Sequence, residues 1–215
     1  MTTESQSAPA TDAFPTAAVS VDAGAFDNIA IVPDDKDWTW VLERACPECG
    51  FDAATFPAGD VSGLVLRVAS AWLAVLAEPA SDDELRRRPS PDRWSTLEYA
   101  CHVGDVFRLY DERLQLMLTR DNPLYPNWDQ DEAAVAGRYG ERETSRVAGD
   151  LAGVAAKIAA RFATVSDAQW QRTGERSDGA RFTVDTFARY FIHDPVHHLW
   201  DVTGKAGGGV ISAED

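Results

Sequence analysis

The chain has 215 residues, 35 of them acidic and 20 basic, a formal charge of −15, and 45% of its residues are hydrophobic. That length allows one ordinary domain with a small appendage, and the apolar share can bury a core, which excludes wholesale disorder. The excess of acid argues against a nucleic-acid partner bound through a basic face and against adsorption to anionic membranes.

Residues 1–20 are rich in Thr, Ser, Ala and Pro and lack the basic start and apolar centre of a signal peptide. No apolar run of about 18 residues suggests a spanning helix. Three cysteines make no disulfide framework, so the expected compartment is the reducing cytoplasm. Residues 1 to about 30 read as a flexible leader. Residues 37–44, with Trp38 and Trp40, read as either a strand or a helical turn, and Cys46-Pro-Glu-Cys49-Gly-Phe-Asp as a turn. Residues 1–56 together form an N-terminal extension.

From residue 57 to 205 the pattern is helical. Asp60 caps a helix whose apolar positions Val61, Leu64, Val65, Val68, Trp72, Val75 and Leu76 recur at threes and fours, and Pro79 ends it. A charged connection covers residues 81–92. Ser95-Thr-Leu-Glu98 has the spacing of a capping box, opening a helix to about Thr119 with Leu97, Cys101, Val106, Leu109, Leu114 and Met117 inward. After a turn-rich break at 121–127, a short helix is expected from Asp129 to Tyr139. A long one follows from Glu143 to Val165, with Val147, Leu151, Val154, Ile158 and Phe162 on its stripe. Residues 174–181 read as a loop. The last helix begins at Thr183 or Asp185, runs to about Val202 and stops at Gly204. Residues 206–215 read as a frayed, flexible tail. Four long amphipathic segments with no clear strand predict an all-α four-helix bundle.

Only four histidines occur: His102, His193, His197 and His198. His193 and His197 stand at i and i+4, about 40° apart around a helix and one turn along, the spacing at which two imidazoles share one ion. His198 is rotated away, and Pro195 between them can kink the helix. His102 lies on a different helix, and bundles build metal sites from facing helices. The expected centre is therefore His102, His193 and His197 around a divalent metal, with one position open to water or substrate. Zinc leads; iron(II), nickel or cobalt also accept imidazoles. Asp105 and Asp201 are spaced to orient ring nitrogens. The bland reading, core histidines beside solvent-facing acids, stands next to this one. Cys46 and Cys49 read as a structural turn with reduced thiols, with redox and metal-binding roles as alternatives, and Cys101 reads as a small packed residue. Arg86-Arg87-Arg88 reads as a solvated run able to attract an anionic substrate. Trp94, Trp128 and Trp200 read as core or pocket wall.

Two segments resemble the DinB-like superfamily: Pro91-Asp-Arg-Trp-Ser-Thr-Leu-Glu-Tyr-Ala-Cys-His102-Val-Gly-Asp-Val, and Tyr190-Phe-Ile-His193-Asp-Pro-Val-His197-His198-Leu-Trp-Asp-Val. The resemblance covers about residues 60–204. It implies a four-helix bundle whose metal is held by one histidine of the second helix and two of the last, which carried over are His102, His193 and His197. The family includes bacillithiol and mycothiol S-transferases, a mycothiol-dependent isomerase and part of the ergothioneine-type sulfoxide synthases. The Ala, Asp and Arg usage resembles actinobacterial chains, so the implied thiol is mycothiol. The chain departs from the family where His193 replaces the Glu of the isomerase-type site, and where Leu199 replaces the Glu of the synthases' HxxxHxE. The expected function is a metal-dependent thiol S-transferase acting on an electrophilic small molecule. A non-catalytic stress or binding protein and a metal-dependent hydrolase are the alternatives. The oligomeric state is left open, a homodimer being compatible with a bundle of this size.

Overall fold

The computed structural model describes residues 37–78, 81–90 and 92–210. The expected leader and Pro79 therefore lie outside the described residues. Among those described, four long helices make a bundle: α1 (Val61–Ala77), α3 (Thr96–Thr119), α5 (Thr144–Phe162) and α6 (Val184–Thr203). Short helices α2 (Asp82–Arg86) and α4 (Gln130–Gly137) lie in the connections. Packing runs round a ring: α1 against α5, α5 against α3, α3 against α6, and α6 back against α1.

The helix ends follow their local chemistry. Ser95 Oγ accepts the Glu98 amide at 3.2 Å, and Glu98 Oε2 accepts the Ser95 amide at 2.8 Å, closing the capping box. Glu98 also takes Arg88 at 2.6–3.2 Å. Arg86 donates to the Gly140 and Arg142 carbonyls, so two members of the arginine run are fasteners rather than a solvated patch. Thr183 opens α6 through its box with Thr186, and Gly204, at φ 66°, closes it in the left-handed conformation that glycine adopts without strain. The helix passes unbroken through Pro195.

Val61, Leu64, Val65, Val68 and Trp72 of α1 meet Leu151, Ala155 and Ile158 of α5 in a core completed by Phe107, Leu114, Phe187 and Phe191. Ala58–Ala77 is long and apolar enough to cross a membrane by length and composition, although the sequence reading found no such run. Here it serves as a bundle helix whose inward stripe is buried.

The structure departs from the expected all-helical pattern at one place. Residues 174–181, expected as a loop, fall in a hairpin of β2 (Thr173–Arg176) and β3 (Arg181–Thr183). The two-residue strand β1 (Leu124–Tyr125) pairs parallel to β2. Strands of two to four residues are too short to show alternation, and this ladder is fixed by packing on α3 and α6. Residues 38–42 resolve the open choice at the two tryptophans in favour of a 3-10 turn. Ala206–Gly209, placed with the frayed tail by the sequence reading, is also a 3-10 turn, with Gly207 and Gly208 buried.

Asp111 fastens α3 to α5. It is 2% exposed, and it accepts from Arg161 Nε at 2.5 Å and Lys157 Nζ at 2.9 Å. Burial pushes its carboxyl up, but the hydrogen bonds from Arg161 and Lys157 outweigh this and hold it below the usual range. Asp111→Asn should cost about 1–3 kcal/mol of stability near neutral pH, read by urea unfolding. A lowered folded pKa contributes stability above the unfolded pKa and loses it as pH falls through the folded value. The gap between wild type and variant should therefore close on acidification.

Candidate metal centre

All four histidines gather on one end of the bundle, but not as one group. His102 comes from α3. His193, Asp194, His197 and His198 come from α6, two adjacent i,i+4 pairs offset by one residue, about 100° apart around the helix. The structure brings Asp194 and His198 to His102, and it brings His193 and His197 to Cys46 and Cys49. In each group the ligand atoms lie within 4.8 Å of one another. The expected trio is thus divided: His102 stands in one cluster, His193 and His197 in the other.

In the first cluster His102 is fully buried. Its ring stacks on Trp128 at 5.5 Å and meets the His198 ring edge-on at 4.9 Å. Neither ring nitrogen makes a hydrogen bond, and the buried Oδ1 of Asp194 makes none either, although His102 Nε2 stands 3.4 Å from it. Buried polar atoms left in this state are costly, by about 1–3 kcal/mol each. The two rings and the carboxylate bring one ligand atom each within reach of a common point, a group that could hold a metal ion. His198 Nε2 lies 3.8 Å from Asp194 Oδ2. Its other nitrogen, Nδ1, is 2.9 Å from Asp201 Oδ2, which puts the proton on Nδ1 and the Nε2 lone pair toward Asp194. Burial pushes the Asp194 carboxyl up, but the imidazoles of His102 and His198 more than offset it and hold it ionised well below the usual range. Two imidazoles and one carboxylate fit a catalytic zinc or a non-haem iron(II) ion with positions to spare.

The carboxylates spaced to orient rings take different roles from those expected. Asp201 serves His198 directly and lies 3.9 Å from His197. Asp105 does not serve His102; its oxygens are engaged by Arg108 and the Tyr139 hydroxyl.

The cluster opens on a cavity of about 550 Å³ whose walls include Trp94, Trp128, Trp200, Asp194 and His198. The three tryptophans are wall rather than deep core. Arg113 also lines it. This arginine is 5% exposed, its Nε has no partner, and it spreads over the faces of Tyr110 and Tyr125. Among the described residues no carboxylate pairs with it.

In the second cluster, Cys46 Sγ is 3.6 Å from His197 Nδ1 and Cys49 Sγ 3.7 Å from His193 Nε2. Burial drives the Cys49 thiol up to about 12, and burial with the neighbouring His197 drives His193 down to about 4. All three cysteines are free thiols, and Cys101 is packed against the Tyr139 backbone.

A bundle with histidines and a carboxylate converging at one end of a cavity has side chains that could hold a metal ion. Residues 66–202 match the sequence model of the DinB superfamily, and the chain belongs to that superfamily. Among solved structures it resembles YfiT from Bacillus subtilis, described as a probable metal-dependent hydrolase with an unusual four-helix bundle topology. The two share 18% identity at a TM-score of 0.59, over 69% of this chain and 88% of the other, a likeness of fold. No curated protein matches the chain. Cys46 and Cys49 fall outside the matched residues.

Proposed function

We propose that the chain is a metal-dependent enzyme centred on His102, Asp194 and His198, and that it transfers a low-molecular-weight thiol, mycothiol by the resemblance noted above, to an electrophilic small molecule. The observation that carries the metal reading is the buried His102 ring, whose two nitrogens lack hydrogen bonds beside an ionised Asp194. A bound divalent ion would lower the pKa of a thiol or water reaching its open position. The chain's own residues do the rest. Asp201 fixes the His198 tautomer, and Trp94 and Trp128 pack the His102 ring and exclude water from it. Arg113, whose Nη2 donates to the Pro126 carbonyl at 2.7 Å while its Nε has no partner, offers its charge to an anionic group of the ligand. In the transfer the sulfur forms a bond to carbon, the thiol proton passes to base or solvent, and the displaced group leaves with its electron pair. A cavity of this size suits such a ligand. Three free cysteines suit the reducing cytoplasm, where such a thiol is available.

A second reading, hydrolysis, is favoured by the description of the YfiT neighbour. The test loads the purified protein with zinc or iron(II) and adds mycothiol. At a hundredfold excess over Kd, binding should add about 2.7 kcal/mol of stability, seen as a raised melting temperature. Free thiol should then be consumed with an activated alkyl halide, and not by the metal-free protein. Ester turnover without thiol would replace this reading with the hydrolase. Absence of both, together with no metal uptake, would reject an enzymatic role.

A further inference from the structure

The second cluster supplies no ligand to the centre proposed above, although His193 and His197 line the same cavity, and its chemistry is of another kind. Cys46 and Cys49 sit on a tight knuckle: the Gly50 amide donates to the Cys46 carbonyl at 2.9 Å, the Cys46 amide to Phe51 at 2.9 Å, and Gly50 adopts φ 76°. The knuckle lies against α6, where His193 and His197 present their rings one turn apart, 5.2 Å between centroids. Exposure is 1% for Cys46, 0% for Cys49, 4% for His193 and 7% for His197, so all four side chains are buried, with the two imidazoles forming part of the cavity wall.

The distances fit an ion site as well as they fit thiol–imidazole hydrogen bonds. A tetrahedral zinc with Zn–S of about 2.3 Å and Zn–N of about 2.0–2.1 Å sets sulfur and nitrogen about 3.5–3.6 Å apart. The two sulfur–nitrogen pairs stand at 3.6 and 3.7 Å. Charge agrees: two thiolates and a dication sum to zero, so the buried ensemble carries no net charge once the thiol protons are released. The far nitrogen of His197 faces two carboxylates, its Nε2 lying 3.5 Å from Glu48 and 3.9 Å from Asp201.

We propose that Cys46, Cys49, His193 and His197 hold a structural zinc ion that staples residues 38–56 onto the last helix. Four protein ligands with no open position make it a closed site, in contrast to the open His102 cluster. The staple has a consequence for the cavity. Trp38 packs on both ligand histidines at 5.7 and 5.3 Å, and Trp38 and Glu48 line the cavity. The Gly207 amide donates to the Cys49 carbonyl, and Arg189 to the Ala54 carbonyl, so the segment and the turn after α6 close together over that end of the bundle. The zinc thereby fixes one wall of the substrate chamber without touching the chemistry.

The inference does not depend on the enzymatic reading, and the experiment separates them. The full chain is stripped of metal under reducing conditions and titrated with cobalt(II). Sulfur-bound cobalt gives a thiolate charge-transfer absorption in the near ultraviolet, and this band should appear in wild type and in His102→Leu alike. Zinc should quench it by displacement. Cys49→Ser should lose the band and one metal equivalent, while metal at the His102 cluster persists. Amides of residues 38–56 should lose hydrogen-exchange protection on stripping, with those of α3 unchanged. No band in the wild type, or Cys46 and Cys49 recovered as a disulfide from protein prepared under reducing conditions with zinc, would overturn the proposal. The wild-type titration decides even where the serine variant fails to fold.

Discussion

Leucine in place of His102 should strip the cavity of its metal and reduce metal-dependent turnover at least about a hundredfold, while leaving the metal-free fold as stable as wild type or more so. In the proposed centre His102 is the ligand from α3; without it Asp194 and His198 remain, one donor short of the three that a catalytic zinc site uses. A metal in this role contributes several kcal/mol to the transition state, and about 1.4 kcal/mol is a factor of ten. The stability expectation has the opposite sign, because the wild-type ring buries two nitrogens without hydrogen bonds. An apolar side chain of similar volume removes that penalty. Metal content, turnover and thermal melting of the stripped proteins, measured side by side, check all three parts. Retained metal at the cavity, or a melting temperature that falls in the stripped variant, would contradict the assignment of His102 as a ligand.

How far the sequence carried depends on what each feature needs from tertiary structure. Local chemistry was enough for several helix ends: the Ser95–Glu98 box, the start of α6 at Thr183, one of two candidates, and its stop at Gly204 all involve partners within a few residues, whereas Asp60 makes no side-chain cap bond to α1. Periodicity was enough for the inward stripes of α1 and α5. The short ladder of β1, β2 and β3 was not legible, since β1 and β2 are about fifty residues apart and each is too short to alternate. The ligand sets turned on a rotation. His193/His197 and Asp194/His198 have the same i,i+4 spacing, and only the packing of α6 against α3 decides which pair faces His102. The CxxC had a visible complement, because Cys-x-x-Cys and His-x-x-x-His are the two halves of a Cys2His2 site. A separation of 144 residues between Cys49 and His193 kept the halves from being read together.

Trp72→Ala should be the most destabilising single change in the bundle, by about 3–5 kcal/mol. Trp72 is among the largest fully buried side chains and sits on α1 where it meets α6. Truncation there leaves a cavity that helices held on both sides cannot close. At about 2–4 °C per kcal/mol for a chain of this size, the melting temperature should fall by roughly 6–20 °C. The indole does a second thing: its Nε1 donates to the Pro195 carbonyl at 3.3 Å. Pro195 lacks an amide, so the Phe191 carbonyl one turn back loses its helical donor; the indole does not replace that bond but ties α1 to the Pro195 carbonyl, inside the span of both proposed ligand pairs. Trp72→Phe separates the two contributions. It keeps most of the ring volume and should cost about 1–2 kcal/mol for the lost bond and the smaller side chain. If the hydrogen bond also sets the rotation of residues 193–198, the phenylalanine variant should bind metal at the His102 cluster more weakly than its small loss of stability accounts for. Equal weakening of stability and affinity would instead mean that Trp72 acts through packing alone.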